Sequence, residues 1–169
     1  MSIKLLVLDV DGTLTDGGLY LDSTGNETKK FTVKDGAALS LARASGIKVM
    51  ILTGRESEPV RRRAAELHLD YVIQGCADKG ARLRDFMAEQ GLCREEVAYV
   101  GDDWNDLAAM SLCGFVACPQ DSAPEVIARA DYVCPQKGGY GAVRGAVEHI
   151  LRSEGVFEKV LYSVYPAEV

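Results

Sequence analysis

The sequence predicts an α/β protein: a doubly wound, Rossmann-like, mostly parallel sheet with helices on both faces and a β-hairpin flap after the first strand. Three observations predict it. Short apolar, β-branched runs alternate along the chain with amphipathic segments of helical period, the pattern of a parallel sheet. The first run, Ile3 to Leu8, is apolar apart from Lys4, as a strand buried on both faces requires. Clusters of Asp, Gly and Thr follow the runs, at the carboxyl ends of strands where open α/β sheets bind ligands.

The elements follow in order. Asp9-Val10-Asp11-Gly12-Thr13-Leu14-Thr15 ends the first strand. Two carboxylates one residue apart suit a hard cation and an oxygen nucleophile, where one alone would read as a helix cap. Residues 18–33 hold two strand-like runs around Asp22-Ser23-Thr24-Gly25-Asn26, a hairpin signature. Asp35-Gly36 opens a helix that runs to Ala44 and stops at Gly46. Strands are then expected at 47–52, 71–73, 97–100, 115–118 and 132–134. Helices are expected at 56–67, 79–90, 105–112, 123–128 and 142–152, with Ser122 beginning the fourth of these and Pro124 in its first turn. The tail from Val156 is apolar and aromatic, unusual for an end left in water.

All of this fits a single domain over residues 1–169. Net charge is -6, with 25 acidic and 19 basic residues, which argues against a nucleic-acid surface. The five cysteines (76, 93, 113, 118, 134) form no CxxC pair, pointing to a reduced, cytoplasmic setting. No apolar stretch suggests a signal peptide or a membrane span. Taken singly, the polar clusters have bland readings. Asp102 and Asp103 could cap a helix, Thr53 could sit in a turn, Lys79 could be a solvated charge, and Arg61-Arg62-Arg63 an exposed face. Trp104 reads as packing, and His68 and His149 lack partners.

Together the clusters carry a resemblance. Asp-Val-Asp-Gly-Thr-Leu-Thr, then Thr53-Gly54-Arg55, then Lys79, then Gly101-Asp102-Asp103-Trp104-Asn105-Asp106 resemble, in order, the four motifs of the haloacid-dehalogenase-like phosphohydrolases. The resemblance implies a phosphomonoesterase with Asp9 as nucleophile and Asp11 as general acid–base. Thr53 and Lys79 would hold the phosphoryl group. Mg²⁺ would be held by the Asp9 and Asp102 carboxylates and the Asp11 backbone carbonyl, with Asp103 or Asp106 orienting bound waters. The gaps from Asp11 to Thr53 and from Thr53 to Lys79 are too short to contain a cap domain. Thr24 to Gly36 and Gly138 to Arg144 further resemble the 3-deoxy-D-manno-octulosonate 8-phosphate phosphatases.

That subfamily is tetrameric and makes the sugar acid of lipopolysaccharide core. The resemblance implies substrate contacts from Asp11, Thr32, Val33, Lys34, Asp35, Gly36, Arg55, Arg63 and Lys79. Arg55 and Arg63 would pair with the substrate carboxylate. It also implies a homotetramer in which residues 138–169 reach a neighbour's site, and a small-molecule substrate, with no nucleic acid or membrane partner. Ser40 departs from the subfamily's usual basic residue, which keeps phosphatases of nine-carbon, sialic-acid-like 9-phosphates in view. A non-catalytic domain regulating a sugar-nucleotide synthetase is a further alternative. A receiver domain fits poorly, because no acidic residue ends the third strand of the parallel sheet.

Overall fold

The structure is a computed structural model and describes residues 2–167. Met1 and residues 168–169, the ends of the expected domain and C-terminal segment, lie outside the described residues. Six strands form one parallel sheet: β1 (Leu5–Leu8), β4 (Lys48–Leu52), β5 (Tyr71–Ile73), β6 (Val97–Val100), β7 (Phe115–Cys118) and β8 (Tyr132–Val133). Their spatial order is β5-β4-β1-β6-β7-β8, so the chain winds one way from β1 and then returns to wind the other. The reversal lies beside β1, which pairs Leu8 with Ile51 of β4 and with Val100 of β6. A crevice opens at such a switch point, and the ends of β1, β4 and β6 line it.

Alternation along β1 divides the core. Leu6 and Leu8 pack, with Val49, Ile51, Ala98 and Val100, against α1 (Val33–Ala44), α6 (Ala142–Ser153) and α7 (Phe157–Val164). Leu5 and Val7 face the other way, with Met50, Leu52 and Tyr99, against Leu83 and Phe86 of α3 (Lys79–Gln90) and Met110 of α4 (Leu107–Met110). Two further helices, α2 (Glu58–Glu66) and α5 (Pro124–Ile127), contribute Val60, Ala64 and Val126. Gly91 closes α3 in the left-handed conformation (φ 64°), which a side chain adopts only at a cost.

Several boundaries move for local reasons. Helix α1 starts at Val33, not Asp35, because Thr32 caps it, its hydroxyl oxygen accepting from the Lys34 amide. Ser122 does not cap α5: its hydroxyl donates to the Pro119 carbonyl, and Ala123 precedes Pro124 at the first helical position. The expected helix over 105–112 divides into a 3₁₀ turn, Trp104–Asp106, followed by α4, because Asp103 caps the turn. The hairpin consists of β2 (Tyr20–Leu21) and β3 (Glu27–Thr28), closed at its base by a bridge between Thr15 and Phe31.

The C-terminal segment packs on elements of this chain. Gly138 and Gly139 lie on this chain's own 12–16 loop, where the Gly139 amide donates to Thr13 O at 3.2 Å. A Cβ on Gly138 would stand 1.8 Å from Gly12 O, so only glycine fits this approach. Helix α7 buries Phe157 and Val160 against α1 and α6, so most of the apolar tail covers this chain's core. Tyr162 and Tyr165 remain exposed.

Candidate active site

Asp9 directly follows β1 and is 4% exposed; its amide donates to Val100 O, which fixes its position against β6. Lys79, 2% exposed, opens α3, where the helix dipole disfavours a cation. It is held there by two carboxylates, donating to Asp9 Oδ1 and Asp106 Oδ1 at 2.7 Å each. Asp106 is fully buried and also accepts from Tyr99 Oη (2.7 Å) and, on Oδ2, from the Asp102 and Asp103 amides. Both of its oxygens are therefore committed to the protein. Asp106 thus holds Lys79 and shapes the loop bearing Asp102.

Asp102 accepts from Thr13 Oγ1 at 2.8 Å and rests against Gly12, where a Cβ would come within 2.1 Å of its Oδ2. Gly12 has φ +90°, so the turn and the close approach both demand glycine. Asp9, Asp102 and Asp106 offer oxygens that all lie within 4.8 Å of one another. With Asp106 committed to the protein, the Asp9 and Asp102 carboxylates, hard oxygen donors with no His or Cys beside them, suit Mg²⁺. Burial first, and then the Asp106 charge, push the Asp9 carboxyl up to about 6 despite Lys79. Burial and the Asp9 charge push Asp102 up to about 8. Burial alone would lower the Lys79 ammonium, but Asp9 and Asp106 outweigh it and leave its pKa raised.

These shifts predict a pH dependence. An unfolded Asp titrates near 3.9, so the folded chain holds these protons more tightly. The stability this lends is complete below about pH 4 and is lost as pH rises through about 6 for Asp9 and about 8 for Asp102. Asp35, also raised to about 6, acts in the same direction. The metal-free protein should therefore melt several degrees lower at pH 9 than at pH 5, and Asp102→Asn should flatten that decline. A wild-type profile flat over this range would refute the apposition of the two carboxylates.

The other expected residues divide. Thr53, 2% exposed, ends β4 beside β1, as expected. The Asp11 carboxylate lies outside the carboxylate cluster and accepts from Lys29 Nζ at 2.5 Å. Arg55 donates to Glu27 Oε1 at 2.8 Å, tying the loop after β4 to the hairpin. Asp103 is exposed and accepts from the Trp104 amide.

Thr32, Asp35, Gly36 and Arg63 gather elsewhere, around a cavity of about 10 Å³, room for one water. Because α1 begins at Val33, Asp35 points inward, 2% exposed, and its Oδ1 accepts from the Arg144 amide. Arg63 covers Gly36, where a Cβ would stand 2.8 Å from Nη2, and donates to Thr32 O and Glu66. Val33 is 81% exposed. Lys34 lies over a surface cleft with Gln136, Tyr140 and Arg144. Trp104 is not packed: it is 67% exposed, its indole N–H donating to Glu125.

Sequence reasoning assigned no role to Thr13, Tyr99, Glu27 or Lys29. Thr13 stood inside the first motif and could have been found there; Lys29 has no local signal.

Known proteins are similar throughout. A family model for haloacid dehalogenase-like hydrolases matches residues 26–114. The 3-deoxy-D-manno-octulosonate 8-phosphate phosphatase of Escherichia coli is 39% identical over 158 residues, 94% of this chain and 84% of that one. The Moraxella catarrhalis phosphatase of the same name was crystallised in complex with a magnesium ion, a phosphate ion and a KDO molecule. It superposes with a TM-score of 0.92 at 40% identity, over 96% of this chain and 93% of that one. A cobalt-bound Haemophilus influenzae phosphatase superposes at 0.87 with 36% identity, covering 92% and 91%.

Proposed function

This chain belongs to the haloacid dehalogenase-like hydrolase family, and from that premise we propose that it is a Mg²⁺-dependent phosphatase cleaving 3-deoxy-D-manno-octulosonate 8-phosphate. The observation that carries the reading is the buried Asp9 with Lys79 on one oxygen, its other oxygen left for attack on phosphorus. Similarity to the Escherichia coli and Moraxella catarrhalis phosphatases supports the choice of substrate.

In this reading Asp9 attacks phosphorus to form an aspartyl-phosphate, and Asp11 protonates the departing sugar oxygen and then takes a proton from the attacking water. Lys79 and the Thr53 hydroxyl offset the negative charge spreading over the phosphoryl oxygens. The Asp9 and Asp102 carboxylates and the Asp11 carbonyl would hold Mg²⁺, which when bound neutralises charge on phosphate and nucleophile. Arg55 leaves Glu27 to pair with the sugar carboxylate.

The enzyme is cytoplasmic, feeds lipopolysaccharide core synthesis and works as a homotetramer. Among the described residues no helix is long and apolar enough to cross a membrane. The hairpin supports assembly: Leu19, Tyr20 and Leu21 are exposed on a two-stranded element that is marginal alone.

The test is phosphate release from a panel of sugar-acid phosphates, with Mg²⁺ and with chelator. Turnover of the eight-carbon acid is expected, absent in chelator, while preference for a nine-carbon acid would overturn the substrate. Losing a charge-assisted bond of about 1.5–3 kcal/mol, Arg55→Ala should weaken kcat/KM for sugar-acid phosphates about 10-fold to 100-fold. It should barely affect 4-nitrophenyl phosphate; equal losses on both would mean that Arg55 serves the phosphate or the fold.

A further inference from the structure

Among the described residues Lys29 joins Lys79 as a deeply buried cation. Its side chain is 1% exposed although it stands on the hairpin, whose neighbouring residues are largely open to solvent. Ordering and desolvating an ammonium costs several kcal/mol unless anions compensate it. Two do. Nζ donates to Asp11 Oδ1 at 2.5 Å and to Glu27 Oε1 at 3.1 Å. Glu27 is in turn held by Arg55, so four charges of alternating sign run from Arg55 to Asp11. The folded hairpin thus delivers a fixed cation to one oxygen of the carboxylate that moves protons.

We infer that Lys29 is a positioning residue for Asp11, with Glu27 as its anchor; this rests on the phosphatase reading above. With Lys29 on Oδ1, Oδ2 is the oxygen that gives and takes the proton. In the second half-reaction a water oxygen bonds to phosphorus, and the bond from phosphorus to the Asp9 oxygen breaks, its electron pair returning to the Asp9 carboxylate. The water proton passes to Asp11 Oδ2, replacing the one given to the leaving group, and inorganic phosphate departs. An Asp11 free to rotate would serve this step poorly, because proton transfer needs a donor and acceptor already within hydrogen-bond reach.

The two half-reactions can be separated with 4-nitrophenyl phosphate, whose leaving group needs no acid. In Lys29→Met, rapid-mixing kinetics should show a burst of nitrophenolate near one per site at the wild-type rate. A steady state about 100-fold slower than wild type should follow, with aspartyl-phosphate accumulating. Lys29→Arg should recover part of the steady rate. Glu27→Gln, which keeps the buried cation on Asp11, should give the same split more weakly and serves if Lys29→Met does not fold. Burst and steady rates falling together, or both unchanged, would overturn the inference. A wild-type enzyme that releases phosphate from no monoester would overturn the phosphatase reading itself, and this inference with it.

Discussion

Asp9→Asn is expected to cut phosphate release at least ~10⁴-fold while making the metal-free protein more stable at pH 8. The first effect follows from chemistry: an amide oxygen cannot form the acyl phosphate. The second follows from the electrostatics of the pocket. After burial, the Asp9 charge is the largest cause of the raised Asp102 value. An uncharged Asn of the same shape removes that repulsion and still accepts from Lys79. Loss of activity with a higher melting temperature would separate a missing nucleophile from a damaged fold. Turnover above a tenth of wild type would remove Asp9 from its role. Full inactivity with a lower melting temperature at pH 8 would mean that the two carboxylates do not oppose one another.

Lys79→Met should be the most damaging single change to both stability and activity. Methionine fills much of the same volume but leaves the Asp9 and Asp106 carboxylates buried without their shared cation. Breaking a buried pair by removing one partner costs about 3–5 kcal/mol, equivalent to roughly 10 °C for a chain of this size. Turnover should fall by ~10³-fold or more, since charge neutralisation at the phosphoryl group is a large part of phosphoryl-transfer catalysis. Denaturant unfolding measures the first effect and phosphate release the second. Wild-type stability in this variant would mean that the two acids accommodate one another by sharing a proton, leaving Lys79 to serve the substrate alone.

Much of this was legible in the chain before folding. The strand cores read correctly because a strand buried on both faces leaves an unbroken apolar run. That Asp9, Lys79 and Asp102 meet followed from the order of the motifs, since a parallel sheet gathers carboxyl ends on one edge. Helix starts were less legible. Thr32 and Ser122 look alike as caps, yet Thr32 caps a helix while Ser122 turns back to Pro119.

Local period and order along the chain already carry the sheet, its double winding and the polar clusters that follow its strands. Which polar partners each group meets came only with packing in three dimensions. Thr13 finds Asp102 across 89 residues, Asp35 finds the Arg144 amide across 109, and Lys29 finds Asp11 only when the hairpin folds back. It also laid Phe157 and Val160 of α7 on this chain's own core and Gly138 on Gly12. Hydrogen bonds reach only about 3 Å, so such pairings depend on how helices and loops settle over the sheet, a geometry that no window along the sequence contains.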